Sequence, residues 1–429
     1  MLFGTDGIRG TYGKEITPSL AFRCGCATSN LCKRKRVLIA KDTRTSGDVL
    51  SLSLTNGLLS SGVDVLDIGI APTPVVSFLV DKLNCDYGIM ITASHNPKED
   101  NGIKFFSSDG YKISEKEENE IEKFFAFNNF STYDKLGKYK YCPSKVNLYK
   151  NYLLEICKFK LNLKIVVDCS YGATYSLAKK IFPSICEKVF FVCCKNNGMK
   201  INENCGALYP ENLKYQIKKF DADLGFAFDG DGDRIVCCDK KGNILDGDDI
   251  LSILSLSLNK NEKFIVGTIM SNKGFEEYLS SLGITLLRSD VGDKFVAQIM
   301  KEKNLSLGGE PSGHIIIKNL AKTGDGILTA CTLLKSIFDK KVEISKLVNY
   351  KKYHQVFKNI KVDNKYRILN DQFLNEKLIK IKESLNGDGR IVLRASGTEE
   401  IVRIMCEHKN KKHAEKTISE IESIVMSIK

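Results

Sequence analysis

Leu224-Gly225-Phe226-Ala227-Phe228 is an apolar run of strand length, and it opens directly onto Asp229-Gly230-Asp231-Gly232-Asp233-Arg234. Ligands of α/β folds gather past the carboxyl ends of strands, so the pair reads as a sheet strand delivering a loop of carboxylates. Alternating Asp and Gly lets a tight turn aim several hard oxygens at one point, which suits Mg²⁺ or Ca²⁺. An EF-hand does not fit, because its sixth position is Arg234 rather than Gly and its twelfth is Lys240 rather than Glu. A plain acidic turn fits poorly too, since three crowded carboxylates repel one another unless a cation joins them. Arg234 beside them points to an anion arriving at the same place.

Outward from this stretch, apolar runs of four to seven residues alternate with longer amphipathic segments. Val37–Ala40, Tyr87–Thr92, Lys164–Asp168, Val189–Cys194 and Phe264–Met270 read as strands; Ser19–Cys32, Gly47–Ser61, Ala173–Phe182, Asp248–Leu258 and Gly326–Phe338 read as helices. The alternation argues for α/β layers on largely parallel sheets. It restarts near Lys164 and again near Phe264, giving three similar α/β units. A polar, lysine-rich stretch near Asn349 to Asn364 precedes a short α+β pattern. The expected domains are 1–148, 149–247, 248–352 and 353–429.

The chain has 429 residues, of which 43% are hydrophobic and 27% charged, a globular composition that excludes a mainly disordered chain. No stretch approaches the roughly 18 uncharged apolar residues that span a bilayer, and the start, Met1-Leu2-Phe3-Gly4, lacks a secretory pattern. A cytoplasmic protein without membrane partners is expected. The formal charge of +12 fits a solvated lysine surface or an anionic partner. The basic run Lys33-Arg34-Lys35-Arg36 leads into a strand and belongs to no recognisable nucleic-acid module, so a helix-to-strand loop is expected there and no nucleic-acid partner. The 15 cysteines read as reduced, buried thiols, with Cys193-Cys194 and Cys237-Cys238 inside strands.

Three more segments carry chemistry. Thr92-Ala93-Ser94-His95-Asn96-Pro97 follows a strand and continues to Asn101-Gly102-Ile103-Lys104. Ser94 lies where α/β folds place ligands, although an ordinary turn reads equally from these residues alone. The Gly-x-Ser-x-Gly elbow is missing, and an adjacent His95 rarely reaches its neighbouring serine, which argues against a Ser-His-Asp hydrolase. Gly308-Gly309-Glu310-Pro311-Ser312-Gly313-His314 could bind hydroxyls and move protons, or hold a capped loop histidine. Arg394-Ala395-Ser396-Gly397-Thr398-Glu399, with Arg403 nearby, forms a phosphate clamp, a hairpin turn, or both. A sugar phosphate satisfies the four loops together.

These strings, with Phe3-Gly4-Thr5-Asp6-Gly7-Ile8-Arg9-Gly10, Lys41-Asp42-Thr43-Arg44, Asp100–Phe106, Gly267–Asn272 and Thr323–Gly326, run in one order along nearly the whole chain. In them the sequence resembles the α-D-phosphohexomutase superfamily, and the opening string with Asn101–Phe106 favours its glucosamine branch. The resemblance implies three similar mixed-sheet α/β domains plus a smaller C-terminal α+β domain around a central active-site cleft. It implies a phosphorylated Ser94 that binds one Mg²⁺ per active site together with Asp229, Asp231 and Asp233. Arg9, Lys104, Arg234 and His314 would be catalytic, with Lys104 and His314 the candidates for proton transfer. Glu310 and Ser312 would contact sugar hydroxyls, while Arg394, Ser396, Gly397, Thr398 and Arg403 would hold the phosphate that is not reacting.

The activity so implied interconverts glucosamine 6-phosphate and glucosamine 1-phosphate through a bisphosphorylated sugar, feeding UDP-N-acetylglucosamine synthesis. Catalytic hexose 1,6-bisphosphate would be the activator, and an activating kinase and a homodimer are the implied partners besides the sugar phosphate. The alternatives are a phosphomannomutase or phosphoglucomutase, a Mg²⁺-dependent sugar phosphatase and a non-catalytic sugar-phosphate sensor. Two residues depart from the family pattern. Glu400 brings an extra carboxylate to the clamp and would weaken it unless it points away. Lys294 replaces an arginine and loses bidentate geometry.

Overall fold

The computed structural model describes residues 2–4, 6–126, 135–259, 261–396 and 399–428. The chain forms two compact units, one of Met1–Thr268 with Leu287–Val348, the other of Ile269–Leu286 with Asn349–Lys429.

The first unit contains a six-stranded sheet in the order Ile8–Thr11, Asp100–Ser107, Tyr87–Ile91, Arg36–Lys41, Asp64–Ile70, Tyr139–Tyr141. Tyr87–Ile91 and the three strands after it in this order run parallel, while Asp100–Ser107 is antiparallel to both of its neighbours. The sheet is therefore mixed rather than largely parallel. Asp100–Ser107 returns from Tyr87–Ile91 without a crossover helix, and that tight return carries the Ser94 loop. A five-stranded sheet follows in the order Ile244–Leu245, Ile235–Asp239, Leu224–Phe228, Leu161–Asp168, Cys186–Val192. Its strands Leu224–Phe228 and Ile235–Asp239 are antiparallel, and the Asp-Gly loop is their connection. A third layer pairs Phe264–Thr268 parallel to Leu307–Gly309, which is antiparallel to Ile315–Ile317. Mixed α/β layers and a smaller C-terminal module agree with the fold expected from the sequence.

Local chemistry accounts for the elements. Gly247–Ser255 starts on Asp246, whose side chain accepts the Asp248 and Asp249 N–H groups while the Asp249 carboxylate accepts the Asp246 N–H. Gly326–Lys340 starts on Asp325, whose side chain accepts the Leu328 N–H at 3.0 Å. The helix Thr73–Lys82 escapes the periodicity reading because it buries residues on nearly every side, including Val75, Val76, Leu79 and Val80, and shows no polar stripe. The basic run at residues 33–36 does lead into a strand, its loop held by Asp86, which accepts the Lys33, Arg34 and Arg36 N–H groups. Cys237 and Cys238 lie in a strand as expected. Cys193 and Cys194 do not: their strand ends at Val192, and Cys193 turns the chain with φ +47.

The second unit is a three-stranded antiparallel sheet, His354–Lys361, Ile401–His408, Gly389–Ala395, in that order. Its core includes Leu374, Leu378 and Ile381 of one helix and Ile418, Ile421 and Val425 of another. Glu407, fully buried, accepts the Lys273 N–H at 2.9 Å, and Arg390 donates to the Ile269 and Ser271 carbonyls at 2.7 and 2.6 Å. These bonds hold the segment from Ile269 within this unit. Among the described residues no helix is long and apolar enough to cross a membrane.

Candidate active site

Strand Tyr87–Ile91 delivers Ser94, which is 1% exposed and holds the left-handed backbone φ of +53. For a residue with a Cβ this conformation costs on the order of 1–3 kcal/mol and persists only where its surroundings enforce it. Here they do. The Ser94 N–H donates to Thr92 Oγ1 at 2.8 Å, and Thr92 donates to Asp42 at 2.6 Å. Arg44, buried and paired with Asp42 at 3.0 Å, donates to the carbonyls of Ser94, Asn96 and Asp100 at 2.9, 2.8 and 2.9 Å, and also to that of Pro97. The Asn202 amide donates to the Ser94 and Asn96 carbonyls at 2.8 and 3.1 Å.

So fixed, Ser94 Oγ donates to Asp229 Oδ2 at 2.5 Å. His95 Nδ1 lies 3.4 Å from the same oxygen, so the adjacent histidine does come within reach of the serine. Burial holds its pKa down to about 3, so it stays neutral. The much shorter bond to Asp229 directs the serine into the acidic loop.

Asp229, Asp231 and Asp233 are buried, and each offers an oxygen within 4.8 Å of the others. Lys104, on the strand Asp100–Ser107, places its ammonium 2.8 Å from Asp231, 2.8 Å from Asp233 and 3.0 Å from Asp6. The cation that the crowded carboxylates demand is thus in part a side chain. Against the downward pull of burial, Asp231, Asp233 and Asp6 hold Lys104 charged. Burial, with Asp233 and Asp231 adding to it, pushes the Asp229 carboxyl well above its usual range. Burial acts in the same direction on Asp233, but Lys104, His314 and Arg234 overcome it and keep that group ionised. Asp231 Oδ1 and Asp233 Oδ1 are buried and have no hydrogen-bond partner. Orphaned carboxylate oxygens are costly, and a hard divalent cation would satisfy them, so the donor set fits Mg²⁺.

The Glu310–His314 loop is tied to this one. Between Leu307–Gly309 and Ile315–Ile317, the Glu310 N–H donates to the His314 carbonyl and the Gly313 N–H to the Glu310 carbonyl, both at 3.0 Å. Gly313 has φ +89, and a Cβ there would lie 2.0 Å from the Ile235 carbonyl oxygen. The Ile235 N–H donates to the Gly313 carbonyl at 3.0 Å, docking the turn on the exit of the acidic loop. Glu310 is nearly buried and accepts the Gly292 N–H at 3.0 Å; Ser312 is exposed at the tip. His314 Nε2 lies 3.1 Å from Asp293. Burial lowers the His314 pKa, but Asp293 reverses the effect and the net shift is upward; Asp293 itself is held down to about 2.

Arg9 pairs with Asp6 and approaches the Ala93 carbonyl at 3.4 Å, and its Nε is unpartnered. Arg234 donates its N–H to Asp229 at 3.1 Å, and its Nε is 3.9 Å from Asp233. Lys112 pairs with both Asp6 and Asp293, completing an alternating chain Asp233, Lys104, Asp6, Lys112, Asp293, His314. The candidate residues of the first unit thus converge. Lys294 lies 3.6 Å from Glu115, which occupies its single ammonium.

In the second unit Arg394 and Arg403 face each other in register, and Arg403 Nη2 donates to Ser396 Oγ at 3.3 Å. Burial and then Arg403 lower the pKa of Arg394, the signature of two cations held close. Glu400 points to Lys365, accepting its N–H at 3.0 Å with the ammonium at 3.5 Å. Gly397 and Thr398 lie outside the described residues.

The sequence reading missed six residues that shape the site. Asp6 lies within Phe3–Gly10, Arg44 ends Lys41–Arg44 and Asp293 precedes Lys294, but single letters give no partners. Thr73, which donates to Asp231 at 2.5 Å, with Lys112 and Asn202, had no signal; Thr73 and Asp231 are 158 positions apart in the chain.

Family models of phosphoglucomutase/phosphomannomutase match in chain order: alpha/beta/alpha domain I at residues 1–132, domain II at 147–242, domain III at 246–353 and the C-terminal domain at 357–424. With the fold and the serine beside three carboxylates, the class is that of the phosphohexomutases. The chain is 40% identical over 439 aligned residues to the phosphoglucosamine mutase of Staphylococcus aureus strain JH9, covering 99% of this chain and 97% of that one. It belongs to the phosphoglucosamine mutase family, whose members are isomerase-class phosphotransferases. A phosphoglucomutase/phosphomannomutase family protein from Burkholderia thailandensis shares the fold with a TM-score of 0.83, 24% identity and coverage of 99% and 97% of the two chains. An Aspergillus fumigatus N-acetylphosphoglucosamine mutase, crystallised with GlcNAc-6P and magnesium, does so with a TM-score of 0.64, 18% identity and coverage of 91% and 82%.

Proposed function

We propose that this chain interconverts glucosamine 6-phosphate and glucosamine 1-phosphate by way of a phosphoserine at Ser94 and a bisphosphorylated sugar, supplying UDP-N-acetylglucosamine synthesis. The observation that carries this reading is Ser94 Oγ, strained into place and bonded at 2.5 Å to one of three mutually adjacent carboxylates. Family membership supports it.

Ser94, Asp229, Asp231 and Asp233 would hold one Mg²⁺, as the magnesium of the Aspergillus fumigatus relative also supports. When bound, the ion supplies positive charge that offsets the charge on the transferring phosphoryl oxygens, the dominant contribution in phosphoryl transfer. The chain's own residues do the rest. Arg44 and Asn202 fix the Ser94 backbone, so the transferring group starts from a defined position. Arg9 and Arg234 add fixed cations beside it. Lys104 is saturated by three carboxylates and acts as a charge rather than as a base. His314 is the better proton carrier of the two candidates, because an imidazole can take and return a proton and Asp293, 3.1 Å away, orients it and favours its protonated form. Glu310 and Ser312 would orient sugar hydroxyls. Arg394, Ser396 and Arg403, with Gly397 and Thr398, would hold the phosphate not in transfer.

The first phosphate on Ser94 would come from hexose 1,6-bisphosphate or a kinase. A cytoplasmic setting suits the 15 free cysteines, and a homodimer is the proposed assembly. The test compares glucosamine, glucose and mannose 6-phosphates in a Mg²⁺-dependent isomerisation assay with a trace of the bisphosphate. Preference for the amino sugar is expected. Preference for glucose or mannose would move the chain to another branch, and near-normal turnover by a folded Ser94→Ala variant would defeat the phosphoserine.

A further inference from the structure

Two thiols meet just beyond the ends of strands Leu161–Asp168 and Cys186–Val192. Cys193 Sγ, Cys205 Sγ and an Asp168 carboxylate oxygen all lie within 4.8 Å of one another. Cys205 is 1% exposed and shares a hydrogen bond with Cys193, which is half-buried and reachable from solvent. The neighbouring Cys194 turns the other way, toward Cys169. Asp168 already accepts the Ser170 and Gly206 N–H groups at 2.9 and 3.0 Å and the Asn212 amide at 3.2 Å. Its oxygens are therefore occupied by local structure, and the reactive content of the cluster is the pair of sulfurs.

The segment between the two cysteines contains Asn202. Its N–H donates to the Ser170 carbonyl at 3.0 Å, and its amide supports the Ser94 and Asn96 carbonyls. Anything that draws the ends of this segment together acts on the backbone of the candidate phosphoserine. A disulfide requires its sulfurs at about 2.05 Å, closer than two thiols in non-bonded contact.

We propose that Cys193 and Cys205 are a dithiol that a hydroperoxide oxidises to a disulfide, and that closing this bond displaces Asn202 and slows turnover. The Cys193 thiolate attacks the peroxide, the O–O bond breaks, and the sulfur becomes a sulfenic acid while hydroxide leaves and takes the thiol proton as water. Cys205 then attacks that sulfur, the S–S bond forms, the S–O bond breaks, and the hydroxide leaves with the Cys205 proton as a second water. Two thiols and one hydrogen peroxide thus yield one disulfide and two waters. The half-buried position of Cys193 makes it the first to react, and the depth of Cys205 makes it the resolving thiol.

The experiment exposes the reduced, Mg²⁺-loaded enzyme to hydrogen peroxide, quenches with N-ethylmaleimide and maps peptides without reductant. A Cys193–Cys205 linked peptide is expected, with glucosamine 6-phosphate turnover down several-fold and restored by dithiothreitol. Cys205→Ser and Cys193→Ser should each keep their turnover at the same peroxide dose, and dimedone should label Cys193 in Cys205→Ser. The proposal is overturned if the pair stays reduced while other thiols react, or if the linked peptide forms with turnover unchanged. Only the turnover arm rests on the Ser94 reading; an inactive reduced enzyme would indict that reading and leave the peptide map to decide the dithiol.

Discussion

Replacing Lys104 by methionine tests how the buried acidic loop is balanced. The side chain is 1% exposed and its ammonium lies 2.8 Å from both Asp231 and Asp233. At an effective dielectric of about 20, Coulomb's law gives roughly 6 kcal/mol for unit charges at such a separation. Dehydrating the lysine cancels much of that, and removing one partner of a buried pair costs about 3–5 kcal/mol in practice. Methionine keeps the volume, so the loss is electrostatic. With chelator present, the variant should lose about that much stability on urea unfolding followed by circular dichroism. The site also becomes more negative by one charge, and Lys104 no longer competes for Asp231 Oδ2 and Asp233 Oδ2. Mg²⁺ should therefore bind more tightly than to the parent in calorimetric titration, and at a hundredfold its Kd should return about 2.7 kcal/mol. A loss below about 1 kcal/mol, or Mg²⁺ affinity equal to or weaker than the parent's, would refute the reasoning.

Three further outcomes are expected. Arg44→Met removes the guanidinium donor from the carbonyls of Ser94, Asn96, Pro97 and Asp100 and the paired cation from buried Asp42, leaving the Ser94 and Asn96 carbonyls only the Asn202 amide; about 3–5 kcal/mol should be lost, with kcat falling far more than KM changes, measured by unfolding and steady-state kinetics. Gly313→Ala places a Cβ 2.0 Å from the Ile235 carbonyl at φ +89, a conformation that alone costs roughly 1–2 kcal/mol, so a clear fall in Tm should accompany weakened sugar binding. The folded pKa of His314 is raised, so its contribution to stability is complete below 6.5 and fades as pH rises through the higher folded value. Asp293→Asn removes the cause, and the His314 titration followed by NMR should move to lower pH; an unmoved midpoint would discard the pairing.

Much of the site was legible because its chemistry is local in sequence. Three Asp residues spaced by Gly after a strand, or Arg, Ser and Gly between two strands, announce their donors within six letters. The conditions that make those donors work come from far away. Nothing near residue 94 shows that Arg44 and Asn202 hold its carbonyl, or that Lys104 rather than a metal alone faces Asp231 and Asp233. The cysteines show the same division. The burial of the others followed from composition, but Cys193 is only half-buried, because its turn broke the expected strand and brought its sulfur to Cys205.

The sequence by itself determined the alternation of strands and helices, the loops at strand ends and the kinds of atoms those loops present, because periodicity, glycine and charge act over a few residues. Only the tertiary structure decided which charges meet. A buried ion pair or a clamped carbonyl depends on distances between segments separated by tens to hundreds of positions, and those distances exist only once the sheets have packed.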